Sequence, residues 1–324
     1  MKNIGGEIDS HETKYYEYAT DSGRSSLKLI LKSLKNKTFL IPDFTCEIII
    51  KVLDEKKIKY SFYKINKNLM IDFNSIKKQK NYEVLYIINF FGNYQKLPEK
   101  YYRNKILIED NVFLPKIENL RKTQNWISFN SLRKISSVSD GSIVKSTIKL
   151  NSREITKQNA NFVKYKNKGK KLKFDYLNGN FSNLKELDYL LTLENGEKIL
   201  NKQKKIFHMS NYSYFRYFDF LNNFEKELKI RKKNYTLLQK KLKKYSLLHH
   251  PIFPSFFPIL HPARNDLKNY LMSKNIYLPI HWPIIKSVNN NLYKKIISIP
   301  VDSRYNEKDM KRISKLIINF KKNL

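Results

Sequence analysis

Lys134 is the residue with the most chemical potential in this chain, because of what surrounds it. It closes the segment Ser128-Phe129-Asn130-Ser131-Leu132-Arg133-Lys134, and Ser139-Asp140-Gly141 follows five residues on. A lysine that attacks an aldehyde must be unprotonated part of the time, and a partly desolvated crevice lowers its pKa. Arg133 cannot take that role, since a guanidinium stays protonated and is a poor nucleophile. A single lysine among 53 would ordinarily be a surface residue, so Lys134 stands out only by its neighbours. Asp110 follows the apolar run Ile106-Leu107-Ile108 and Glu109, and is either a strand-end acid capping a loop or a carboxylate able to pair with a protonated ring nitrogen. Ser22-Gly23-Arg24-Ser25-Ser26 stands directly before a helical pattern. The free amides and dipole of a helix start attract anions; glycine allows close approach, and the hydroxyls and Arg24 add donors and charge. His281, between apolar residues in Pro279-Ile280-His281-Trp282-Pro283, is either a core group or part of a substrate pocket. No metal site is expected.

These residues need a scaffold, and the apolar spacing supplies one. Leu27, Ile30, Leu31 and Leu34 recur at helical intervals, and Ile48, Ile49 and Val52 do so in a helix from about Thr45. Strands are expected at 39–41 (broken by Pro42), 60–65, 84–91, 106–109, 126–132 and 141–144. Strands alternating with helices imply crossover connections and a mostly parallel sheet with both faces covered. Ligands then gather at the carboxyl ends of the strands. Residues 151–245 read as helical and lysine-rich, most clearly over 221–242. The last 75 or so residues form a smaller α/β unit: strands at 256–260 and 297–301, a helix at 264–274, and a final helix capped by Asn306.

Composition limits the function classes. The net charge is +34, yet only ten of the 63 cations are arginine, the residue favoured for forked phosphate and guanine contacts. The lysines are spread along the whole chain, so a solvated basic surface is expected and nucleic-acid binding is not. Lys164 to Phe174 is a local basic run able to touch an anionic surface. The longest apolar runs are far short of the roughly 20 residues that span a bilayer. Met1 to Tyr18 has no apolar stretch, which speaks against an ordinary secretory signal. Cys46 is the sole cysteine and cannot form an internal disulfide. A cytoplasmic protein is expected.

Taken in order, Ser22 to Ser26, Pro42-Asp43-Phe44-Thr45, Glu109-Asp110, and Ser128-Phe129 leading to Lys134 resemble the DegT/StrS family of pyridoxal-phosphate sugar aminotransferases. The resemblance runs from about residue 20 to the end and includes the seven-residue step from Lys134 to Gly141. It implies an α/β fold of the aspartate-aminotransferase type (fold type I), with a small C-terminal α/β domain. The implied division is an N-terminal segment 1–18, a cofactor domain with helical extension 19–245, and a C-terminal domain 246–324. It further implies that Lys134 holds pyridoxal 5'-phosphate as a Schiff base and moves protons, and that Asp110 keeps the ring nitrogen protonated. Gly23, Arg24, Ser25 and Ser128 would hold the phosphate. The implied substrate is a nucleotide-linked keto-sugar for surface polysaccharide, with glutamate as amino donor and a homodimeric assembly.

The sequence departs from the family at several of these places. Ser139-Asp140-Gly141-Ser142 replaces the usual Gly-Glu-Gly-Gly. Cys46 stands where an aromatic residue commonly stacks on the ring, so Phe44 or Phe90 is expected to substitute. Phe113 replaces a polar ring contact and Asn130 replaces a histidine. Two alternatives follow from these changes: another pyridoxal-phosphate reaction such as sugar dehydration, or a non-catalytic member that binds a ligand.

Overall fold

A computed structural model describes residues 15–179, 183, 185–247 and 250–320. Its main layer is a seven-stranded sheet in the order β1-β7-β6-β5-β4-β2-β3. The strands are β1 (Tyr16–Thr20), β2 (Phe39–Pro42), β3 (Tyr60–Tyr63), β4 (Val84–Ile88), β5 (Ile106–Asn111), β6 (Trp126–Asn130) and β7 (Ser142–Ser146). The block from β3 to β6 is parallel, and β7 runs antiparallel to both β6 and β1. Helices α1 (Gly23–Ser33), α2 (Glu47–Glu55) and the short α3 (Phe73–Lys77) make the early connections. Every residue of β2, β4 and β6 is buried, as unbroken apolar runs require when helices cover both faces of a sheet.

Several boundaries differ from those read in the sequence. The expected N-terminal segment ends inside β1, a strand whose polar, aromatic-rich sequence gives no apolar run; residues 1–14 lie outside the described chain. The expected strand 84–91 stops at Ile88, where Asn89 turns its side chain to Asn111 and a single 3-10 turn, Phe90–Gly92, begins. The expected strand 126–132 stops at Asn130 and also ends in a 3-10 turn, Leu132–Lys134.

Beyond β7, the two-residue strands β8 (Ile155–Thr156) and β9 (Ile206–Phe207) pair in parallel and clamp the base of a helical hairpin, α4 (Ala160–Leu177) and α5 (Glu186–Lys202). Helices α6 (Asn211–Asn222) and α7 (Phe224–Lys241) follow. The C-terminal unit has β10 (Phe256–Leu260) antiparallel to β11 (Ile296–Pro300), with α8 (Arg264–Met272), α9 (Leu292–Lys295) and α10 (Glu307–Asn319). Asn306 caps α10 as expected, and Asp309 reaches back to complete a capping box. One apolar core runs without a break from Leu27 on α1 to Ile317 on α10.

The turn after β4 ties this C-terminal unit to the sheet. Phe91 and Gly92 both have positive φ, 53° and 87°, and the Phe253 amide donates to the Gly92 carbonyl at 3.1 Å. A Cβ on Gly92 would sit 1.6 Å from the Phe253 carbonyl oxygen. Both the backbone conformation and the space therefore demand glycine. Gly92→Ala should lower stability by about 3 kcal/mol or more, read from urea or thermal unfolding; a loss under ~1 kcal/mol would show that the contact yields freely.

Candidate active site

Strand alternation decides which residues reach the cavity at the carboxyl end of the sheet. On β5, Glu109 and Asn111 point to one face and Asp110 to the other. Glu109 is held on its own face by the Trp126 indole (2.8 Å) and by Arg121 (3.0 Å). Asp110 accepts the Tyr86 hydroxyl at 2.6 Å and the Val112 amide at 3.0 Å. Burial pushes the Asp110 carboxyl above its ordinary value, against the opposing pull of the Tyr86 hydrogen bond and the Lys134 charge.

Lys134 sits at the end of the 3-10 turn that follows β6, its amide bonded to the Ser131 carbonyl. Its Nζ lies 4.8 Å from the Phe113 ring centroid and 5.8 Å from that of Trp282. Burial drives its pKa below the usual lysine value; Asp110 opposes that shift and the neighbouring Arg133 charge adds to it. A depressed pKa leaves more of the amine unprotonated near neutrality, the form that attacks carbonyl carbon.

Lys134 and Asp110 line one cavity of about 210 Å³. Ser22, Gly23 and Arg24 at the start of α1 share it, with Ser131, Arg133, Cys46 and Trp282 among the other walls. The Ser22 hydroxyl caps α1 by accepting the Ser25 amide at 3.2 Å. The amides of Gly23 and Arg24 have no acceptor inside the helix. Gly23 packs so closely on the end of β6 that a Cβ would lie 3.2 Å from the Asn130 carbonyl oxygen. A second cleft, about 530 Å³, shares Arg24, Cys46 and Ile48 with the cavity and adds Lys28, Lys51 and Pro283. A larger groove of about 720 Å³ contains none of these residues.

Of the residues given a role in the sequence, Lys134, Asp110, Gly23 and Arg24 meet at the cavity, whereas Ser128, Ser25, Phe44 and His281 are not among its walls. Ser128 points to the opposite face of β6, where its hydroxyl donates to the Glu109 carbonyl and accepts from Asn111. The cavity-facing hydroxyl residue on that segment is Ser131, one alternation step beyond Phe129. Ser25 is spent inside the cap, bonded through its hydroxyl to Ser22 and Gln203. Phe44 lies behind the wall, fully buried between Phe90, Tyr293 and Trp282. Trp282 holds the wall position expected of Phe44 or Phe90. The His281 ring is boxed by Phe91, Phe113 and Phe256, and its Nδ1 is 3.0 Å from the Ser298 hydroxyl. Burial, aided by the Lys134 charge, lowers its pKa to about 3. His281 is thus a neutral group packed behind Phe113 and not part of the cavity wall.

Tyr86, Ser131, Arg133 and Trp282 went unassigned in the sequence. Alternation from Phe129 would have found Ser131, and the position of β4 beside β5 would have found Tyr86. Arg133 is no nucleophile, and nothing in its local sequence tells what its charge faces.

The cavity fits a group with an anionic arm, an aldehyde and a basic ring nitrogen. The Nε atoms of Arg24 and Arg133 are both buried without a hydrogen-bond partner, and a helix start faces the same space. The Asp110 carboxylate and the Lys134 amine supply the remaining two contacts. Among the described residues, no group of three or more potential metal ligands occurs.

Solved structures share this fold. The chain superposes on a DegT DnrJ EryC1 StrS aminotransferase from Brucella abortus with a TM-score of 0.64, covering 94% of this chain and 86% of that one at 12% identity. The same shares are covered on Helicobacter pylori PseC, an aminotransferase involved in pseudoaminic acid biosynthesis, with a TM-score of 0.65 and 13% identity. DesV from S. venezuelae gives 0.63 over 93% and 83% at 10% identity. No protein-family description and no curated protein matches the sequence. At such identities the likeness defines the fold: an α/β protein of the aspartate-aminotransferase type, as its sequence suggested.

Proposed function

We propose that this chain is a pyridoxal-phosphate-dependent aminotransferase acting on a keto-sugar carried by a nucleotide. The observation that carries this reading is the meeting of Lys134, Asp110 and the α1 start in one small cavity. Pyridoxal phosphate, when bound, supplies an aldehyde for an amine to capture and a protonated ring that draws electrons from the substrate carbon.

Each residue then has a defined task. Lys134, whose pKa burial lowers, would hold the aldehyde and would carry a proton on Nζ at the reacting carbons. Asp110 would hold the proton on the ring nitrogen, its carboxylate oriented by the Tyr86 hydroxyl. Gly23, Arg24 and Ser131 bind the phosphate. Trp282, Val112 and Cys46 exclude water from the reacting atoms.

The cavity is smaller than the ~300–1,000 Å³ usual for drug-sized ligands. The nucleotide portion of the substrate therefore belongs in the adjoining cleft beside Lys28 and Lys51. Glutamate as amino donor, a homodimer, a cytoplasmic location and a role in surface polysaccharide belong to the same reading. Among the described residues, no helix is long and apolar enough to cross a membrane.

The test is to incubate purified protein and cofactor with glutamate and nucleotide-linked keto-sugars. Amino-sugar product matched by 2-oxoglutarate is expected. Loss of water from the sugar without amino transfer would favour dehydration, and absence of either product across keto-sugars would favour a ligand-binding role.

A further inference from the structure

We propose that Arg133, the residue directly before Lys134, joins Arg24 in a two-guanidinium clamp on the phosphate monoester, a proposal that rests on the cofactor reading above. Both side chains line the cavity, Arg24 from the first turn of α1 and Arg133 from the 3-10 turn after β6. Both are hung from one face of α5. The Arg24 Nη1 donates to the Leu200 carbonyl (2.9 Å) and to Asn201 Oδ1 (2.8 Å). The Arg133 Nη1 donates to Glu197 Oε1 at 2.8 Å. Glu197, Leu200 and Asn201 are spaced i, i+3 and i+4, so they stack on the same side of the helix.

A purely structural pairing does not account for this arrangement. Each guanidinium is tethered through Nη1, and each leaves a buried Nε–H with no acceptor. Buried donors in folded proteins almost always have partners, and both of these belong to side chains that line one cavity. The charges point the same way. Glu197 is the carboxylate that pairs with Arg133, and it also takes Lys166 at 2.5 Å. The nearby Asp21 accepts from Gln203 and Ser22. Arg24, Arg133 and Lys166 thus stand as three cations against the two carboxylates of Glu197 and Asp21, an excess that an anion in the cavity offsets. The three terminal oxygens of a phosphate also suit two guanidinium groups together with the α1 amides, whereas a carboxylate offers only two. Arg133 is further fixed by the Phe162 ring of α4, 5.4 Å from its guanidinium carbon.

The experiment compares pyridoxal 5'-phosphate with unphosphorylated pyridoxal, and inorganic phosphate alone, on wild-type protein, Arg133→Gln and Arg133→Lys. Aldehyde binding is read by absorbance, phosphate binding by calorimetry, and folding by circular dichroism. Losing a charge-assisted contact should weaken pyridoxal phosphate and inorganic phosphate about 10- to 100-fold in Arg133→Gln while weakening pyridoxal far less, through the Lys134 amine alone, with partial recovery in Arg133→Lys. Equal weakening of both aldehydes, or unchanged phosphate affinity in Arg133→Gln, would overturn the clamp. If wild-type protein captures neither aldehyde yet loses phosphate on substitution, the cofactor reading fails and the clamp stands.

Discussion

Lys134→Ala should leave a folded protein that no longer captures pyridoxal phosphate covalently and turns over at least about 10⁴-fold more slowly. Lys134 is the only lysine on the cavity wall among the described residues. Removing a general base alone typically costs ~10²–10⁴ in rate, and in the proposed function the same amine also makes the covalent attachment. The apoprotein should not suffer, because burial already opposes the charged form of this amine. Absorbance titration with the cofactor and single-turnover assays measure the two losses. A variant that still shows the bound-aldehyde band, or keeps a tenth of wild-type turnover, would place the attachment on another lysine.

Asp110→Asn should retain the fold and much of the cofactor affinity, yet lose about 10²–10⁴ in turnover. The neutral amide cannot hold a proton on the ring nitrogen, so the ring stops drawing electrons from the substrate carbon. Burial raises the Asp110 carboxyl in the apoprotein, so replacing it removes a desolvated acid and should not lower the melting temperature. Tyr86→Phe removes one 2.6 Å hydrogen bond to that carboxylate, and its expected cost is only about 10- to 100-fold. Steady-state kinetics on both variants checks the ranking. Near-normal turnover in Asp110→Asn would mean that the ring nitrogen does not face this residue.

The sheet was legible because buried parallel strands carry unbroken apolar runs, as at Val84–Ile88 and Ile106–Ile108. β1 was not, since its Tyr-Glu-Tyr pattern carries no such run and it is ordered by pairing with β7. Site residues that follow from order along the chain, Lys134, Asp110 and the Gly23–Arg24 turn, are brought to one cavity. Those that depend on facing were misplaced. Ser128 and Ser131 are both near the end of β6, and only the pleat tells which of them reaches the cavity. Phe44 sits in the right neighbourhood but behind Trp282, a residue 238 positions later whose place is set by packing of the C-terminal unit. Such long-range contacts leave no mark in local spacing. The tethering of Arg24 and Arg133 to α5 is of the same kind.

The most direct test is chemical. Protein loaded with pyridoxal phosphate is reduced with borohydride, digested, and mapped by mass spectrometry to find which of the 53 lysines carries the cofactor. A single modified peptide containing Lys134, formed at one cofactor per chain, is the predicted result. Label scattered over surface lysines, or fixed at a different position, would contradict the account.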